Sequence, residues 1–312
     1  MSDQIKRPGI IQRSQFWDLV QQTRAFESKH RLRFFRAYFS WLSSQVTYRA
    51  PSLPEKFTVI LLSFRRYRNI SAIVDAVLAS NIASEIIVSN NNKDIRIKSW
   101  VKSKDPIVKC LDQTEDYGPI IRYFLASQTS SDYFMSIDDD LFLFPHQIYE
   151  LARGLLTEPQ VIHGVWGQDI VRIPSLEPLT EEQAIAKGWI YQIEQRDCRV
   201  DIMNRAYAFC RSHAKKTISI YDDLVRQHPE QKQKYSHLSD DIFMSLSGEG
   251  KPICHNLGAL LNCPSSNLPT KAISGSEIFH SFRHDLYCRL TTSSESLKLT
   301  RDFAKYFLKF SA

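Results

Sequence analysis

The sequence predicts an α/β protein built on a mostly parallel sheet with helices on both faces. Short apolar runs rich in β-branched residues recur between residues 57 and 137. The segments between them carry apolar residues at helical spacing, and several runs end in small polar or acidic residues. Alternating strands and helices imply crossover connections, which make neighbouring strands parallel and send their polar ends to one edge.

Residues 14–46 read as helix, in one piece or two, with Phe35, Tyr38, Phe39 and Leu42 on one face and Arg31, Arg33 and Arg36 flanking it. Pro51 and Pro54 break that pattern. Phe57–Ser63 is apolar without alternation, as suits a strand covered on both faces. Residues 69–80 place Ile70, Ile73, Val74 and Val77 on one helical stripe. Glu85–Ser89 is a second strand and runs into Asn90, Asn91 and Asn92. A helix over about 93–103, a strand at Ile107–Leu111, a helix over 119–129 and a strand at Tyr133–Ile137 follow. Beyond residue 160 the pattern loosens. Val161–Val165 and Asp201–Phe209 read as strands and Tyr221–Arg226 as helix. A loop from His237 enters a helix that Ser239 or Asp240 would cap. The last segment sets Leu299, Phe303, Tyr306, Phe307 and Phe310 on one stripe. The chain thus divides into a basic helical extension (1–52), an α/β domain (53–290) and a C-terminal amphipathic helix (291–312).

The formal charge of +6 is local: residues 1–50 hold nine Lys/Arg against three Asp/Glu, and the rest is nearly balanced. That distribution argues against a nucleic-acid groove. The six cysteines form no CxxC pair, so a zinc site is not expected and free thiols are. No signal-peptide core and no run of roughly 20 apolar residues is present, which predicts a soluble, cytoplasmic protein. The basic flank of the aromatic stripe leaves peripheral contact with the inner face of a membrane open, and terminal helices of this kind equally suit a homodimer.

Asp138, Asp139 and Asp140 lie between two apolar runs. Carboxylates held near a core need a cation, and a hard divalent metal carrying a phosphate-bearing ligand supplies one. The plain alternative is a solvated acidic turn. Ser63, Asn90 and Asp138 all fall at strand carboxyl ends, where open α/β sheets bind ligands. Asp240 and Asp241 form a second acidic pair, which as a bare helix cap needs only one of them.

The order of these motifs resembles the GT-A (Rossmann-like) glycosyltransferases, and within them the exostosin-like group. Ser63–Arg66 is similar to that group's "TYNR" turn, Ile86–Asn91 to "IVVWNN", Ile137–Asp140 to "VDDD", and Leu238–Leu246 to "C(E/D)DIAMNF". Ala206–Cys210 is similar to "GAAF" without its leading glycine. Ser89 stands where the group has Trp, and its C-terminal motif is only echoed around His280, Arg283 and His284. Family-2-like transferases share the first half. The resemblance implies a sugar moved from a nucleotide donor, UDP-linked in that group, to a hydroxyl of a glycan or lipid-linked acceptor, with retention. It implies Mn²⁺ or Mg²⁺ on Asp140 and Asp138, with Asp138 or Asp139 near the ribose. It implies nucleotide contacts from Ser63, Arg65 or Arg66, Asn90, Asn91 and Arg122. Catalytic roles fall to Asp241, Asp240 and Arg283, with Asp241 a positioning group or, in an inverting enzyme, the base. The rivals are a nucleotidyltransferase, disfavoured because no Gly-rich loop follows Leu62, and a non-catalytic carbohydrate- or nucleotide-binding protein of the same fold.

Overall fold

The computed structural model describes residues 13–44, 51–170, 190–266 and 277–292. The first strands are β1 (Phe57–Ser63), β2 (Ala83–Asn90), β3 (Val108–Asp112) and β4 (Tyr133–Asp138). They are parallel and lie in the order β3-β2-β1-β4. All seven residues of β1 are buried, as expected for a strand covered on both faces. Helix α2 (Ile70–Ala79) packs on one face through Ile70, Ile73, Val74 and Val77, and α3 (Ile121–Gln128) on the other through Tyr123 and Ala126.

The parallel pattern ends at β4. There the sheet continues through β9 (Ile202–Cys210) and β6 (His163–Ile170) to β10 (Ile253–Cys254) and β8 (Cys198–Arg199), with β7 (Ile190–Glu194) beside β6. The β4–β9 and β6–β9 pairs are antiparallel. A small second sheet pairs β5 (Leu141–Phe142) with β11 (Leu261–Asn262). Helix α4 (Pro145–Thr157) covers the α2 face, and α5 (Arg211–Gln227) the α3 face. Short helices α6 (Lys232–Leu238) and α7 (Asp240–Ser245) lead toward the last described helix, α8 (Glu277–Thr292).

Residues 13–44 form one helix, α1. Phe34, Tyr38 and Trp41 seat it on Phe142, with ring centroids 5.7, 5.8 and 5.7 Å away. The seating face is therefore Phe34, Tyr38 and Trp41, and Phe35, Phe39 and Leu42 face outward. Helix is not formed over 93–103, where a single 3-10 turn at Ile97–Ser99 interrupts a loop. Side chains there answer the backbone in place of a helical ladder: Asn90 Nδ2 donates to Asn92 O and Ile95 O, and Ile97 N–H donates to Asp112 Oδ1. The stretch 293–312 lies outside the described residues. All six cysteines are free. No helix among the described residues is long and apolar enough to cross a membrane.

Candidate active site

Register sets the site. Ser63 pairs with Asn90 and Leu62 with Asp138, so β1, β2 and β4 end at one level. The three adjacent aspartates then take three different surroundings, because a turn follows β4 and points each side chain elsewhere.

Asp139 turns inward and staples the loop after β1. Its Oδ2 accepts the backbone N–H of Phe64 and of Arg66, each at 3.2 Å, and Oδ1 faces Arg66 Nη1 at 3.2 Å. Arg66 is spent on the same fastening, donating to Ser265 O and Ser266 O at 2.9 Å each. Asp140 pairs with Arg205 of β9, whose Nη2 lies 3.1 Å from Oδ1 and also donates to Asn262 Oδ1 at 2.8 Å. Arg205 adopts φ +65, strained for a side chain of its kind, and its guanidinium lies 4.7 Å from the centroid of Trp166. Asp138 keeps 32% of its side chain exposed, with Arg122 Nη2 at 3.0 Å as an ion pair. Its surroundings are dense enough that desolvation pushes its carboxyl up to about 7, against the pull of Arg122 and with Asp140 and Asp240 adding to the rise.

Arg122 links the two acidic motifs. It is buried on α3, and Nε lies 3.4 Å from Asp240 Oδ2 while Nη1 donates to Ser136 Oγ at 3.0 Å. One guanidinium thus serves two carboxylates. Burial raises Asp240 to about 6, opposed by Arg122 and reinforced by Asp241. Tyr123 Oη, itself 2.7 Å from Tyr207 Oη, reaches Asp240 Oδ2 at 3.4 Å. Gly118 (φ +69) permits this approach of α3 to residue 236, since a Cβ there would meet Ser236 O at 2.4 Å. Asp240 therefore does not cap its helix; Ser239 holds the cap position and makes no side-chain cap bond. Asp241 is gripped bidentately by Arg283 of α8, at 2.5 and 2.7 Å.

The five expected aspartates meet four arginines, of which Arg66, Arg122 and Arg283 were expected and Arg205 was not, and they take different duties. Arg65 is exposed with its guanidinium 5.0 Å from the Phe64 ring, and Arg66 is the arginine that reaches the triplet. Asn90 donates to Asn92 O and Ile95 O of the loop that follows it and to Asp112 Oδ1 of β3, and its Oδ1 accepts Asn92 N–H, so its amide is used within the fold. Arg122 is a counter-ion to Asp138 and Asp240, which leaves it little to offer a phosphate directly. By contrast Ser63 Oγ, Asn91 Oδ1 and Ser239 Oγ are buried without hydrogen-bond partners. Such atoms are costly, and beside a group of charged side chains they suit a polar ligand. The side chain of His280 lies outside the described residues, and His284 sits half-buried on α8. Arg205, Trp166 and Asn262 escaped sequence reasoning. The one available signal was Arg205 beside the strand that lacks the expected glycine.

The donor set bears on the metal. Among the described residues no three His, Cys, Asp or Glu side chains form a cluster that could hold an ion. Asp139 is saturated, whereas Asp138 and Asp140 keep 32% and 22% of their side chains exposed. Two such carboxylates fit a divalent ion that draws its other ligands from a diphosphate and water, and do not make an all-protein cage.

The sheet and its flanking helices have the GT-A, nucleotide-transferase type of fold. Residues 58–205, a little under half of the chain, match the family model described as Glycosyl transferase family 2. No curated protein matches it. Among solved structures, that of CMP:2-keto-3-deoxy-manno-octonic acid synthetase complexed with CTP is 12% identical, covering 58% of this chain and 83% of that one at a TM-score of 0.37.

Proposed function

We propose that the protein is a glycosyltransferase that moves a sugar from a nucleotide-diphosphate donor, UDP-linked, to a hydroxyl of a glycan or lipid-linked acceptor. The observation that carries this reading is the meeting of both acidic motifs, through Arg122, at the strand ends within and beside the family-2 match. Ser63 and Asn91, with unpaired buried oxygens, would receive the nucleoside. Arg205, whose side chain is 16% exposed, would turn from Asp140 toward the diphosphate. Asp138 and Asp140 would hold Mn²⁺ or Mg²⁺. Such an ion offsets negative charge that grows on the departing diphosphate.

In the retaining reading Asp241 needs no proton affinity. Its bidentate partner Arg283 fixes it as a positioning group beside the sugar, and the departing diphosphate takes the acceptor proton. The family-2 match favours a second reading, inversion, in which Asp241 frees one oxygen from Arg283 and serves as base. The anomeric configuration of the product, read by NMR, separates the two. The function itself is tested by a thermal-shift panel of nucleotide sugars with and without Mn²⁺. Stabilisation by UDP-linked donors supports it; the absence of a shift with every nucleotide sugar overturns it.

A further inference from the structure

The outward face of α1 differs from the rest of the described surface. Leu32, Phe35, Phe39 and Leu42 are 72%, 46%, 61% and 38% exposed. Their spacing of three, four and three residues gathers them on an arc of about 80° of the helix wheel. Arg31 borders that arc on one side, and Lys29 and Arg36 border it on the other. Residues 28–43 contain four Lys/Arg and no Asp/Glu. The seating face, Phe34, Tyr38 and Trp41, points elsewhere, so the described residues do not cover the arc.

Exposed aromatics grouped in this way mark a contact surface, and the charges select the partner. A second copy would bring four basic residues against four with no acidic partner between them. Residues 299–310 carry Arg301, Lys305 and Lys309 against Asp302 alone, and meet the same net repulsion. An anionic bilayer satisfies both features: it buries the aromatic arc at the headgroup boundary and offers phosphates to the bordering cations.

We propose that α1 lies on an anionic lipid surface along the arc Leu32–Phe35–Phe39–Leu42. The helix is seated on Phe142, two residues beyond Asp140, so the surface and the site belong to adjacent parts of the fold. This deepens the proposed function, on which it rests in one respect: the acceptor would be lipid-linked and presented at that surface.

Flotation of the full chain tests it, with vesicles of phosphatidylcholine alone and of phosphatidylcholine mixed with phosphatidylglycerol. At low salt the protein floats with the anionic vesicles and at least about tenfold less with the neutral ones, and high salt reduces the difference. Phe35→Ser with Phe39→Ser abolishes flotation while leaving the melting temperature and nucleotide binding intact, because neither side chain enters the core or the site. Failure to float with anionic vesicles at low salt overturns the inference. A dimer that Phe39→Ser dissociates also overturns it, and assigns the face to a second copy. Flotation by a chain that binds no nucleotide sugar leaves the membrane inference standing and removes the proposed function.

Discussion

Two clusters of buried titratable groups differ in how far their own partners satisfy them. In the aspartate cluster, one arginine is divided between Asp138 and Asp240, and neighbouring oxygens of Ser63, Asn91 and Ser239 have no partner. In the second cluster, His163 Nδ1 lies 2.8 Å from His255 Nε2, and its Nε2 lies 2.9 Å from Glu158 O. With Nε2–H given to the carbonyl, Nδ1 accepts from His255, and the His163 ring closes both its bonds in neutral form. Burial lowers both, His163 to about 4. A cavity of about 580 Å³ borders the histidines and touches none of the five aspartates. At the strand ends the unsatisfied oxygens of Ser63 and Asn91 lie beside the shared Arg122, an arrangement that a polar ligand would complete.

The largest effect that sharpens this contrast is on turnover. If Asp241 faces the reacting centre as proposed, Asp241→Asn removes that charge and should lower transfer by about 10²- to 10⁴-fold with UDP affinity nearly unchanged. Equal losses in both quantities would place Asp241 at the nucleotide. Arg205→Ala is expected to weaken UDP binding about tenfold, a loss of about 1.4 kcal/mol. Unchanged binding would confine Arg205 to fastening Asp140. On the histidine side, His255→Gln should leave transfer within about twofold while lowering stability by about 1 kcal/mol. A collapse of transfer there would break the comparison.

The clusters also predict opposite pH dependence of stability in the metal-free protein. Asp240 titrates near 6 when folded against 3.8 unfolded. Its contribution is complete below about pH 4 and is lost as pH rises through 6. His163 titrates near 4 when folded against 6.5 unfolded. Its contribution is present above pH 6.5 and is lost as pH falls toward 4. Melting temperatures across this range should lose the upper slope in Asp240→Asn and the lower slope in His163→Gln. A slope that survives its own substitution belongs to other groups.

Much of the first half of the fold was legible, because crossover helices and doubly covered strands leave long apolar runs, as at Phe57–Ser63. Beyond β4 the sheet is mixed, mostly antiparallel with a parallel β6–β10 pair, and its strands are assembled by pairs distant in sequence, such as His163 with Ala208. No local pattern announces that. The aspartates were legible as a group, and their duties were not. Asp138, Asp139 and Asp140 are identical in sequence, and what separates them is which arginine each meets. Arg66, Arg122, Arg205 and Arg283 come from four separate segments of the chain. The loop at 93–103 was misread as helix because the competing bonds of Asn90 and Asp112 are side-chain bonds closed by the fold.

The central claim is that the aspartate cluster is a nucleotide-diphosphate site. Calorimetry of UDP on the full chain, in Mn²⁺ and in chelator, compared between the native protein and Asp140→Ala, tests it most directly. The expected result is tight binding in Mn²⁺, much weaker binding in chelator, and loss of most of that difference in a folded Asp140→Ala protein. UDP affinity that is the same in both media, and unchanged by Asp140→Ala, would contradict it.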